Sequence, residues 1–234
     1  MESLKAISQP KSLAKIAYAK LRSAILNGEL RAGELYNEIA LAKKMGISRT
    51  PVRESLLELT SKGLVTFLPR RGVIIRSLSE EDLEELFELR AVLENHFFVK
   101  ISASPSDFDF SSLEKYIREQ KDAALKNNVP DYLRANGAFH GSMAEMCGNK
   151  RMVEIYGAIA DLIRLLALQS MRNPMRMNDR LIPQHEAMLK ALKSGDTSLA
   201  TALLTIHLKE SKQAALEGIK STKDIDLNNV LSIS

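Results

Sequence analysis

Apolar residues recur at spacings of three and four between Ser12 and Asn27, through Leu13, Ala17, Leu21, Ala24 and Ile25, which predicts an amphipathic helix stopped by Gly28. A turn on Gly33 follows, and Ile39, Ala40, Ala42 and Met45 open a second helix that ends at Gly46, where glycine accepts a left-handed cap. A third starts a few residues later. Ser48 or Thr50 caps it, Pro51 suits its first turn, Val52, Leu56 and Leu59 form its buried stripe, and Gly63 closes it. LVTFLP and RRGVIIR are rich in Val, Ile and Phe and flank a turn at Arg70, Arg71 and Gly72, the pattern of a β-hairpin.

After Arg76 the pattern changes to SLSEEDLEELFELRAVLE, in which Ser79 and Asp82 cap a new helix. Breaks at SPSD, NNVP, the Gly148–Asn149 pair, NPMRMND and SGD divide the remainder into roughly six helical segments between Ser79 and Gly218, with no strand. The predicted fold is mainly α: an N-terminal winged helix-turn-helix (three helices plus a β-hairpin, residues 1–78), then an all-α helical bundle (79–220) and a frayed, disordered tail (221–234).

Charge sharpens this division. Residues 1–78 hold 14 Lys and Arg against 6 Asp and Glu, whereas the rest holds 19 against 23. A basic first half and an acidic second half point to a polyanionic partner for the first. The single Cys147 excludes a disulfide framework within the chain, and no run approaches the ~20 apolar residues of a membrane span, so a cytoplasmic protein without membrane contact is expected.

The start of the third helix carries the candidate chemistry. GISRTPVRE sets Arg49 and Arg53 four apart on one helical face, with Ser48 and Thr50 as short hydroxyl donors beside them. Arginine pairs bidentately with guanine in the major groove, while hydroxyls and amides at a helix N-terminus suit phosphates. Lys43, Lys44, Arg70 and Arg71 flank them for backbone or minor-groove contact. Solvated surface charge is the competing reading of any one of these residues; the order of elements around them favours double-stranded operator DNA.

LRSAILNGEL, RAGELYNEIALAKKMGISRTPVRESLLELTSKGLV and RRGVIIR, spanning about Ile16 to Val73, resemble the GntR family of bacterial regulators. The resemblance implies that Arg49, Thr50 and Arg53 reach operator bases or phosphates and that Gly72 lets the wing tip enter the minor groove. Ile39 stands where some members carry a DNA-reading arginine.

In the second half Asn136 and His140, four apart on one helix, join His185 and His207 on the last two helices as donors that a bundle could bring together. Taken singly, each histidine also reads as a surface or satisfied core residue. Three imidazoles and an amide oxygen suit one divalent metal, Zn(II) or Ni(II) over Mg(II). LSEEDLEELFELRAVLE, AFHGSMAEMCGN and HEAMLKALKSGD resemble the FCD ligand-binding domain of the FadR subfamily, which implies a metal held by an Asp, sometimes an Asn, and three His. Here that carboxylate position is Asn136, one negative charge fewer. Arg90 and Arg164 are candidates for the carboxylate of a small organic acid effector, with an Arg90–Glu94 helix pair as the alternative for the first. The function expected is a homodimeric, sequence-specific transcription regulator, a repressor on a pseudo-palindromic operator, controlled by a carboxylate metabolite bound through a metal. A metal-dependent hydrolase using the histidines, with Glu186 or Glu210 as base, is the alternative; the chain has no HExxH, nucleophile elbow, P-loop or glycine-rich dinucleotide turn.

Overall fold

The computed structural model describes residues 12–170 and 180–231, with side chains described up to residue 220. The chain divides into two compact units, one ending at Arg76 and one starting at Ser77, two residues before the boundary expected from sequence.

In the first unit α1 (Leu13–Leu26) starts where the Ser12 hydroxyl accepts from the Lys15 amide. α2 (Glu38–Met45) is capped by Asn37, whose side chain accepts from the Ile39 and Ala40 amides, and it ends in left-handed Gly46. α3 (Arg49–Ser61) follows. Leu21, Ile25, Val52, Leu56 and Leu59 meet Leu64, Val73 and Ile75 in the core. The sheet has three strands rather than the hairpin alone: β1 (Leu35–Tyr36), β2 (Val65–Leu68) and β3 (Gly72–Ile75), all antiparallel in the order β1-β3-β2. β1 escapes pattern reading because two residues show no alternation; pairing of Leu35 with Ile74 and Tyr36 with Val73 makes it a strand. That pairing also fixes Gly72. Its φ is +127°, and a Cβ there would stand 2.3 Å from the Tyr36 carbonyl oxygen, so close packing of the wing's own backbone requires glycine.

The second unit consists of α4 (Glu80–Ala103), a short 3₁₀ turn (Pro105–Asp107), α5 (Ser111–Leu125), α6 (Val129–Met146), α7 (Lys150–Ser170), α8 (Ile182–Ser194) and α9 (Thr197–Leu231). Ser79 and Asp82 form the expected capping box at the start of α4. Leu83, Phe87, Phe97, Phe98 and Ile101 lay the inner face of α4 against α6, α7, α8 and α9. The boundary segment NPMRMND falls outside the described residues. α9 runs to Leu231, past residue 220 where the helical bundle is expected to end, with no proline or glycine stop after Gly218, and residues 232–234 lie outside the described residues. Among the described residues no helix is long and apolar enough to cross a membrane.

Candidate functional site

α3 opens on an exposed surface. Ser48 occupies its N-cap position without a side-chain cap bond, and Ser48, Arg49, Thr50 and Arg53 are all exposed. The arginines are held from behind. Glu38, in the first turn of α2, keeps its side chain 8% exposed and accepts from Arg49 Nε at 2.9 Å and from Arg53 Nη1 at 3.0 Å, while those two side chains remain 57% and 51% exposed. Burial pushes the Glu38 pKa up, but its bonds to Arg49 and Arg53 outweigh that and leave it lowered. Arg53 also lies over the Phe67 ring of β2 at 5.6 Å, which ties the helix to the wing. The wing turn places exposed Arg70 at φ +61° and exposed Arg71 beside it, with the Arg71 amide donating to the Leu68 carbonyl. Thus Arg49, Arg53, Arg70, Arg71 and Gly72 line one groove together with Ile39. Sequence reading missed Glu38, because an acid in a first turn reads as a helix-dipole partner.

In the second unit the three histidines converge. One ring nitrogen from each of His140, His185 and His207 lies within 4.8 Å of the others, and all three side chains are buried. Two rings are oriented by hydrogen bonds to amide oxygens, His185 Nδ1 2.6 Å from Gln120 Oε1 and His207 Nδ1 2.9 Å from Gln184 Oε1, while His140 Nδ1 lies 3.0 Å from Glu94 Oε2 without hydrogen-bond geometry. In His185 and His207 the acceptor at Nδ1 puts the proton there and leaves the Nε2 lone pair for a ligand. His185 Nε2 and both ring nitrogens of His140 are buried with no hydrogen-bond partner. Burial lowers all three pKa values, reinforced for His185 by His140 and for His207 by His185, so the rings stay neutral. Neutral, pre-oriented imidazoles with unspent lone pairs fit a divalent transition metal. Gln120 and Gln184 were not foreseen; neutral amides on distant segments leave no local mark in a sequence.

A cavity of about 390 Å³ adjoins the cluster, lined by His207, Asn136, Arg90, Tyr132, Arg180 and Glu210 among others. Asn136 lies one helical turn before His140. Arg90 is in the wall, yet its Nε donates to Glu94 Oε1 at 2.6 Å, and the Tyr156 hydroxyl donates to the same oxygen at 2.7 Å. The Arg90–Glu94 pair therefore forms, in the core and not on the surface. Burial would raise the Glu94 pKa, but the Arg90 charge beside it holds the carboxyl far below the usual range. Arg164 does not line the cavity: its guanidinium donates to the Pro130 carbonyl at 3.3 Å, because that position of α7 faces the start of α6. Glu186 pairs with Lys121 and Glu210 with Gln184 and Arg180. His96 is exposed and stacks edge-on with Phe97.

The chain matches the FCD domain over residues 85–210 and the gntR family of bacterial regulatory proteins over residues 13–75. The gluconate operon transcriptional repressor of Bacillus subtilis is 26% identical over 82% of this chain and 80% of its own length. The transcriptional repressor RspR of Escherichia coli is 22% identical over 84% and 86%. A GntR transcriptional regulator from Rhodococcus sp. RHA1 shares the fold, with a TM-score of 0.80 and 24% identity over 87% of this chain and 97% of its own.

Proposed function

From the premise that this chain belongs to the GntR family of bacterial transcription regulators and carries an FCD domain, we propose that it is a cytoplasmic, homodimeric repressor released from a pseudo-palindromic operator by a small carboxylate metabolite. The observation that carries the DNA-binding half is the presentation of Arg49 and Arg53 at the exposed opening of α3 by the buried Glu38. In this reading Arg49 and Arg53 reach base edges, Ser48 and Thr50 reach phosphates near the helix N-terminus, and Arg70 and Arg71 follow the backbone.

His140, His185 and His207 would hold a divalent metal with Asn136 as a neutral fourth donor, Zn(II) or Ni(II) being favoured by the imidazole set. When bound, the metal supplies a positive attachment point for a carboxylate. Arg90 contributes positive charge to the cavity wall, although Glu94 already engages its Nε. The gluconate control named for one relative makes organic acids the class to screen first.

Selection of duplexes from a random pool by the purified chain tests this reading. An enriched inverted repeat, whose retention falls when metal and an organic acid are added, is expected. His140→Ala should keep operator affinity in the absence of ligand and lose the ligand response. No enriched sequence, or an acid response in His140→Ala equal to that of the unaltered chain, overturns the respective half of the proposal.

A further inference from the structure

Tyr132 precedes Asn136 by one turn on α6, as Asn136 precedes His140, and both Tyr132 and Asn136 line the cavity. Tyr132 is wholly buried, yet its hydroxyl has no hydrogen-bond partner. Tyr156, equally deep in the same bundle, gives its hydroxyl to Glu94. The large majority of buried side-chain polar atoms are paired, so an unpaired hydroxyl on a residue of the cavity wall calls for a partner that a ligand atom can supply. Burial raises the Tyr132 pKa against the lowering influence of Arg90, which keeps the hydroxyl protonated and a donor.

Much of the remaining wall is apolar, from Phe87, Leu133, Ile163, Leu166 and Leu181. Several of its other polar groups are already engaged: Arg90 with Glu94, Ser170 with the Leu166 carbonyl, and Glu210 with Gln184 and Arg180. A ligand rich in hydroxyls would set many of them against hydrocarbon, whereas one anionic head would meet Tyr132, Asn136 and His207.

Resting on the reading of this unit as a carboxylate sensor, we propose that Tyr132 Oη donates a hydrogen bond to the carboxylate of an effector with an apolar body, an aryl or medium-chain alkyl acid. Tyr132 is then a ligand-binding residue of the sensor. Its hydroxyl discriminates by what it finds: an acid that reaches it repairs an unmet bond.

The test uses the full chain loaded with Zn(II), the probes 3-phenylpropionate, octanoate and gluconate, and Tyr132→Phe, which deletes one oxygen. Calorimetric titration and thermal melts should show either apolar acid binding at least about tenfold more tightly than gluconate. Tyr132→Phe should keep its zinc content, melt no lower than the unaltered chain without acid, and bind the apolar acid about tenfold more weakly, the loss of one hydrogen bond to a charged group. Equal affinity in Tyr132→Phe, a preference for gluconate, or a lower melting temperature of the acid-free variant overturns the assignment while leaving the carboxylate-sensor reading standing. Failure of all three acids to bind, with and without zinc, overturns both.

Discussion

Replacing Glu38 by Gln removes a negative charge beside the arginines proposed to read DNA while keeping the side chain's shape. The arginines lose the carboxylate that orders them, so preference for operator over random duplex should fall about tenfold. Sequence-independent affinity should rise, because one charge repelling phosphate is gone. A merely structural role for Glu38 would lower both together; fluorescence titrations of each duplex across a salt series separate these outcomes. The sign of the pH effect follows from the lowered pKa. The stabilising contribution of Glu38 is complete above its ordinary value of 4.5 and fades as pH falls through the lower folded value. Thermal melts should therefore show the gap between the unaltered chain and Glu38→Gln closing only in acid below about pH 4.5. In the second unit, Glu94→Ala strands the buried Arg90 and should cost about 3–5 kcal/mol in chemical denaturation. Arginine pairs at a helix start were legible in the sequence because their spacing is local. Glu38, 11 and 15 residues from its partners, was not.

Elements are legible when their pattern is longer than their contacts. The apolar stripe of α4 and its capping box are written in consecutive residues, and so are the glycines that end α2 and α8 in left-handed geometry. β1 is a strand through β3 alone, and α9 is long through the absence of a stop. Neither property belongs to a local window. Close approach of elements is equally silent in sequence: a Cβ on Gly218 of α9 would stand 2.2 Å from the Ser170 carbonyl oxygen of α7. Helix propensity alone would make Gly218→Ala stabilising by about 0.5–1 kcal/mol. Overpacking against backbone costs about 1–3 kcal/mol and should win, lowering Tm by a few degrees. A Tm above that of the unaltered chain would show that α7 and α9 separate freely at this point.

At the scale of the whole molecule a basic, arginine-presenting unit is joined to an acidic helical unit with a cavity beside a histidine cluster, and family membership makes the pair a DNA-binding regulator. The proposed control of one by the other is a coupling free energy and so must be reciprocal: an acid that weakens operator binding must be bound more weakly when operator is present, by the same factor. The histidine set was legible as residue types on separate helices. Its orientation by Gln120 and Gln184, and the approach of Glu94, were not, since those contacts bridge segments far apart in the chain. The most direct measurement is the ratio of affinities for an enriched duplex and a random one at fixed salt, for the unaltered chain and for Arg49→Ala. The account predicts a ratio of about 10³ or more that Arg49→Ala reduces at least tenfold. A ratio near one for the unaltered chain, or one that Arg49→Ala leaves intact, would contradict it.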